Sequence, residues 1–232
     1  MIDNEIIKLW EEVKRPGIDK FINWLKQSDF FIAPCSTKFH GSYKGGLAQH
    51  SLNVYNLLKE KVEKYNLHNI ISKENIIVTG LGHDLCKVGV YSKDTRPATD
   101  KQLYKLKMVS GANFSEYENQ SLSVSYCSSL IDWESNNRQG TKPEDDGYVF
   151  SENIPLGHGE KSIYILQKFI DLQECEAVAI RWHMAIFDFA VQVAEYPTGY
   201  SYRDAINRYS LVQMLILADY EASLFMEREW SQ

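Results

Sequence analysis

Six histidines occur in the chain, and four of them, His50, His83, His158 and His183, fall near the start, middle or end of separate apolar segments with helical spacing. His83 is followed directly by Asp84 in GLGHDLCKVG, and Asp219 lies inside the apolar run QMLILADYEA. An ionised carboxylate in such surroundings costs several kcal/mol unless it is paired, hydrogen-bonded or bound to a metal. Taken singly, each residue has an ordinary alternative: a hydrogen-bonded core histidine, a chance His-Asp dipeptide, an aspartate capping a neighbouring helix. Taken together, four histidines and two carboxylates need separate partners in an apolar helical core, and one metal site satisfies all of them. Imidazoles and carboxylates without thiolates suit Mn, Fe, Co, Ni, Zn or Mg. Adjacent His and Asp on one helix point roughly a third of a turn apart and can grip one ion from neighbouring positions, while the aspartate's second oxygen can bridge a second ion. Two such ions activate water near neutral pH and neutralise a phosphoryl group during in-line attack, so the chemistry is hydrolysis of a phosphate ester or anhydride.

The elements that must carry these residues follow from periodicity. From Leu47 to Tyr65, Leu52, Val54, Tyr55, Leu57, Leu58 and Val62 keep helical spacing behind His50. A second core helix is predicted from Lys73 through NIIVTGLGHDLCK, and helical spacing returns at HGEKSIYILQKFI, LQECEAVAIRWHMAIFDF and a final helix from Tyr202 through LVQMLILADYEASLFME. Two short helices on either side of Pro16-Gly17 open the chain as a lid or flank. Between Val88 and Pro155, short alternating segments such as YKLKMVSG and GYVFSEN predict one or two antiparallel hairpins overhanging the site. The expected fold is all-α with a small strand-rich insertion. One domain is expected over 1–232, with a flank at 1–38, a core at 39–90 and 156–230, and the insertion at 91–155.

With 232 residues, 44% of them apolar and 24% charged, the chain can bury a large core and is not compositionally disordered. Its N-terminus has neither the basic opening nor the apolar run of a secretory signal, and no stretch reaches the apolar length of a bilayer span, so a cytoplasmic protein without membrane contact is expected. Cys35, Cys86, Cys127 and Cys175 lie far apart without a CxxC pair and read as reduced, mostly buried thiols. A net charge of −6 argues against a protein that coats a nucleic-acid backbone. Lys87, Lys93, Arg96, Lys101, Lys105 and Lys107 would draw in an anionic substrate if they face a cleft, and otherwise form a solvated basic stretch.

One histidine, then an HD pair, two further histidines and a distant aspartate, in GGLAQHS, LGHDLCK, PLGHGEKS, IRWHM and ILADYEA, resemble the HD-domain superfamily of metal-dependent phosphohydrolases over about Phe39 to Glu227. The GGLxxH opening is similar to that of HD domains in certain bacterial 3′→5′ exoribonucleases and in small phage-like HD hydrolases. The resemblance implies an all-α core in which His50, His83, Asp84 and Asp219 bind a first divalent metal, with His158 and His183 binding a second beside a bridging Asp84. Lys87 stands at the family's HDxxK lysine, whose implied role is to hold a substrate phosphate; snorkelling from the helix end is its ordinary alternative. No GYP signature follows His183 and no second histidine adjoins it, which tells against a cyclic-di-GMP phosphodiesterase.

His40 in STKFH is a further candidate for substrate or for supporting a ligand, with an ordinary ordered loop as the alternative. Lys161 and Arg181 are candidates for contacting an anion, with surface or ion-paired roles as alternatives. His68 reads as a surface residue. The expected activity is therefore metal-dependent hydrolysis of a nucleotide or related small phosphate compound. A 3′→5′ nuclease on single-stranded nucleic acid and an inert, metal-stabilised nucleotide-binding module are the alternatives.

Overall fold

Helix α1 (Ile2–Glu11) and helix α2 (Ile18–Gln27) bury Ile6, Trp10, Phe21 and Leu25, and the Trp10 ring stands edge-on to Phe21 at 4.5 Å. The computed structural model describes residues 2–37, 40–139, 142–143, 147–188, 191 and 198–227. As a flank rather than a lid, α1 packs on α2, α3 (Gly46–Lys64) and α4 (Lys73–Gly82), joining their buried apolar side chains in one core. These helices form one wall of the main core. A capping box between Ser72 and Asn75 starts α4, whose Ile76, Ile77, Val78 and Leu81 are all buried. The helix ends at His83, and a single 3₁₀ turn, Leu85–Lys87, follows.

The backbones of α3 and α4 approach closely at Gly80, where an added Cβ would lie 2.8 Å from Tyr55 Cα. Gly80→Ala is therefore expected to push the two helices apart and lower stability by about 1–3 kcal/mol, the usual cost of overpacking. It should weaken metal binding as well, since His50 and His83 ride on the separated elements. Chemical denaturation and metal titration of the same variant check both effects, and an unchanged unfolding midpoint would show that the contact is slack.

Between the HD pair and His158 the expected strand pair is present, but it is not a hairpin. Strand β1 (Tyr91–Lys93) pairs antiparallel with β2 (Tyr148–Phe150), Ser92 opposite Val149, and the segment between them folds mainly as helices. All but the last residue of the YKLKMVSG segment lies in α5 (Asp100–Ser110), begun by a Thr99–Gln102 capping box, and α6 (Val124–Ser135) starts on Ser123. The alternation of Lys with apolar residues imitates a strand, yet Leu103, Leu106 and Val109 recur every third residue. That helical face packs with Tyr117, Leu122, Cys127, Leu130 and Ile131 into a second apolar cluster.

The remaining helices are α7 (His158–Gln167), α8 (Glu174–Trp182), α9 (Thr198–Arg208) and α10 (Ser210–Glu221), with a 3₁₀ turn at Ala185–Phe187 after α8. Helix α10 packs on α3 and α8 and runs into a π turn, Ala222–Met226. The fold is thus mainly helical with one small two-stranded sheet among the described residues. Among those residues no helix is long and apolar enough to cross a membrane. All four cysteines are free thiols, and Cys35, Cys86 and Cys127 are buried.

Candidate metal centre

Four elements deliver the buried polar cluster. His50 sits early in α3, His83 and Asp84 at the end of α4, His183 at the end of α8, and Asp219 in α10. His50, His83 and His183 are fully buried, with Asp84 at 2% and Asp219 at 8% exposure. The Nε2 atoms of His50 and His83 face each other at 3.2 Å. Asp219 Oδ1 lies 3.3 Å and Asp84 Oδ2 3.5 Å from His50 Nε2, and Asp84 Oδ2 is 3.6 Å from His83 Nε2.

The far side of each imidazole decides what its inner nitrogen offers. His83 Nδ1 donates to the Gly80 carbonyl at 3.0 Å, and His183 Nδ1 donates to the Ile180 carbonyl at 2.6 Å. His50 Nδ1 meets Glu227 Oε2 at 3.0 Å. These contacts hold a proton on each Nδ1 and turn each Nε2 into the cluster. His183 Nε2 is buried without a hydrogen-bond partner; its nearest carboxylate oxygen, Asp84 Oδ1, is 3.7 Å away. Imidazole nitrogens and carboxylates converging in this way suit a cation at their centre. The groups His50–His83–Asp219 and His83–Asp84–His183 each bring their ligand atoms within 4.8 Å of one another, close enough to hold a metal ion.

Charge in the metal-free cluster follows the same logic. Burial pushes His83 down to about 3, the neighbouring imidazoles adding to the effect, so its ring is neutral. Burial opposes a charge on His50, but the Cys35 sulfur and the Asp219 and Glu227 carboxylates outweigh it and raise its pKa well above the ordinary value. His50 Nε2 then carries a proton that it donates to His83, and this proton occupies the place suited to a metal. Burial likewise opposes ionisation of Asp84 and Asp219. The Lys87 charge, the His158 hydrogen bond and the nearby His183 imidazole hold Asp84 well below the carboxylate range, and His50 does the same for Asp219.

His158 opens α7, and its Nε2 lies 2.7 Å from Asp84 Oδ1; burial lowers its pKa against the pull of that carboxylate. Lys87 Nζ donates to Asp84 Oδ2 at 2.7 Å and lies 3.1 Å from Cys35 Sγ. Asp84 therefore joins the two halves of the cluster through opposite oxygens. His40 stacks beside His50, ring centroids 4.9 Å apart, with a buried Nε2 that has no partner. Phe39 and Lys38 beside it lie outside the described residues.

A cavity of about 710 Å³ opens on this cluster. Asp84, Lys87, His158 and Asp219 line its polar side, and Met184, Phe187, Tyr220 and Leu224 line the other. Tyr91 of β1 also reaches it, its hydroxyl donating to the Cys35 carbonyl at 3.3 Å, so the insertion supplies part of the wall. Two sequence candidates do not reach the cavity. Lys161 is buried against Glu152 at 2.5 Å, and Arg181 pairs with Glu160 at 2.6 Å and Asp188 at 2.5 Å. Of the basic run only Lys87 is among the cavity-lining residues; Arg96 is held by Asp94 at 2.8 Å. His68 is exposed.

Sequence reasoning passed over Cys35, Tyr91, Asn53 and Glu227. The first two lie in a loop and a short strand whose path no periodicity predicts. Glu227 carries a signal only in hindsight, as a carboxylate two helical turns beyond Asp219. Comparison of the chain with protein-family models, curated proteins and solved structures finds no match.

Proposed function

We propose that this chain is a metal-dependent phosphohydrolase of the HD type, acting on a nucleotide or a related small phosphate compound. The observation that carries the reading is the convergence of the His50 and His83 Nε2 atoms with the Asp84 and Asp219 carboxylates, at the floor of a cavity that also presents Lys87 and His158. His50, His83, Asp84 and Asp219 would hold a first divalent ion, and His158, His183 and Asp84 a second. Bound there, divalent metal supplies an acidified water and positive charge for phosphoryl oxygens.

The chain's own groups have separate tasks. Burial disfavours the Lys87 ammonium, but Asp84 and the Cys35 sulfur raise its pKa well above the ordinary value, so it stays cationic at the cavity wall. There it attracts a phosphate dianion and holds Asp84 Oδ2 in place. Without metal, His158, with a third of its side chain exposed, keeps Asp84 Oδ1 oriented through its Nε2–H. Burial of Asp84, His83 and His183 excludes bulk water from the reacting centre. The wall of Met184, Phe187, Tyr220 and Leu224 suits the base of a nucleotide better than an inorganic phosphate. Lys87 as the basic run's contribution to the cavity, with a net charge of −6, favours a small substrate over a polynucleotide.

The test is a screen of Mn, Co, Ni, Mg and Zn against nucleoside phosphates, generic phosphodiesters and single-stranded oligonucleotides. Metal-dependent release of phosphate or a nucleoside is expected. Tight metal binding without turnover of any phosphate compound would instead favour the binding module, and salt-sensitive degradation of oligonucleotides the nuclease. A pH effect accompanies the first reading. Because His50 holds its proton above the ordinary imidazole range in the metal-free protein, metal must displace it. Affinity should therefore rise with pH, about tenfold per unit for one displaced proton, until the pH exceeds the His50 pKa. Metal titrations at several pH values with proton release measured alongside check it, and a flat profile would mean that His50 is not a ligand.

A further inference from the structure

Helix α10 changes its winding just before Glu227. Its last α-helical residue is Glu221, and Ala222–Met226 form a π turn. In an unbroken α-helix about seven residues make two turns, so Met226 would lie beneath Asp219. The π turn accommodates an extra residue, so Glu227 takes that place while Met226 is 55% exposed. The side chain of Glu227 reaches the back of His50, with Oε2 3.0 Å and Oε1 3.2 Å from Nδ1. Asn53, one turn along α3 from His50, donates its Nδ2–H to Glu227 Oε1 at 2.7 Å. The Glu227 side chain is 5% exposed, so this contact is made away from bulk water.

We infer that Glu227 is a positioning residue for the metal centre: delivered by the π turn and steadied by Asn53, it fixes the ring orientation and tautomer of His50 so that Nε2 faces the ion. The inference rests on the metal reading of the cluster. His50 has a special need for such a partner. His83 and His183 are oriented by carbonyls three residues back in their own helices, whereas His50 stands near the start of α3 and its Nδ1 finds a carboxylate just beyond the π turn that follows α10. A carboxylate behind a ligating imidazole also makes its inner nitrogen a stronger donor. Asp219 of α10 and Glu227 beyond the π turn then act on the same ring, one at each nitrogen. The π turn is what allows both contacts at once.

The experiment measures Co(II) and Mn(II) binding to the full chain by equilibrium dialysis and by the visible absorption of bound Co(II), beside melting of the metal-free protein. Glu227→Gln is expected to weaken binding about 10–100-fold and to shift the Co(II) spectrum, with the metal-free melting midpoint close to that of the unmodified protein. Full affinity in Glu227→Gln, together with loss of binding in His50→Ala, would overturn the positioning role and leave the metal reading intact. Absence of Co(II) and Mn(II) binding by the unmodified chain would overturn both. Should Glu227→Gln not fold, Asn53→Ala takes its place, because it frees one carboxylate oxygen without removing the charge. A severalfold loss of affinity there supports the inference, and none overturns it.

Discussion

Replacing Asp84 by asparagine is expected to abolish metal-dependent phosphohydrolysis, weaken metal binding more than any other single change in the cluster, and destabilise the metal-free protein. The three effects share one cause. Asp84 is the carboxylate through which both halves of the cluster communicate: Oδ2 faces His50, His83 and Lys87, and Oδ1 faces His158 and His183. Asparagine keeps the shape and one acceptor but loses the charge, and its amide places N–H donors where a cation belongs. The Lys87 ammonium, with 13% of its side chain exposed, would then lose its carboxylate partner and keep only neutral contacts beside the Cys35 sulfur. An uncompensated buried charge of that kind costs about 3–5 kcal/mol.

The stability effect can be separated from the chemical one. Asp84→Asn combined with Lys87→Met should recover most of the lost stability and none of the activity, since the second change removes the stranded ammonium without restoring a metal ligand. Denaturant unfolding, metal dialysis and phosphate release on the same three proteins check this. A variant Asp84→Asn that keeps its metal and its activity would show that Asp84 is not a ligand. A double variant no more stable than the single one would show that Lys87 is not held chiefly by Asp84.

The part of this arrangement that can be read in sequence is the part carried by contrast. His83, Asp84 and Asp219 interrupt apolar helices, and a polar residue in an apolar run must have a partner, so their need for partners follows from hydrophobic patterning alone. Helix α3 and helix α4 lie close to where periodicity predicts them, because each has a long buried face. What escaped depends on registers and partners far away. The π turn displaces Glu227 by one residue from the position that helical spacing predicts, so a carboxylate eight residues after Asp219 looks like an unrelated surface residue. In α5, alternating lysines mimic a strand while the third-residue spacing of Leu103, Leu106 and Val109 decides for a helix. Strand β1 finds β2 across that whole helical segment, a pairing that no local signal announces. Lys161 and Arg181 read as possible anion contacts, yet each has an acidic partner brought up by a loop or by a neighbouring helix.

Arg15 belongs to the same class of distant partner, and its loss should be the most damaging change outside the site. It lies in the link between α1 and α2, and its guanidinium grips Glu176 of α8 in a two-pronged pair, Nη1 to Oε2 at 2.6 Å and Nη2 to Oε1 at 2.7 Å. Glu176 is fully buried, and Asn75 of α4 donates to it at 2.9 Å. Arg15→Met would leave that carboxylate with a neutral amide and its own helix cap, so a loss of about 3–5 kcal/mol is expected. In a chain of this size that lowers the melting midpoint by about 6–20 °C. Arg15→Met with Glu176→Gln should lose less than Arg15→Met alone, because the stranded charge is gone; equal losses would place the cost in packing. The effect should also reach the metal centre unevenly. Helix α8 ends in His183, whereas His50 and Asp219 are held by the α3 and α10 pairing. Loosening α8 should therefore weaken the second metal position before the first, which a two-site metal titration of Arg15→Met at a temperature below its melting midpoint would resolve. Equal weakening of both positions would show that α8 and α10 move as one body.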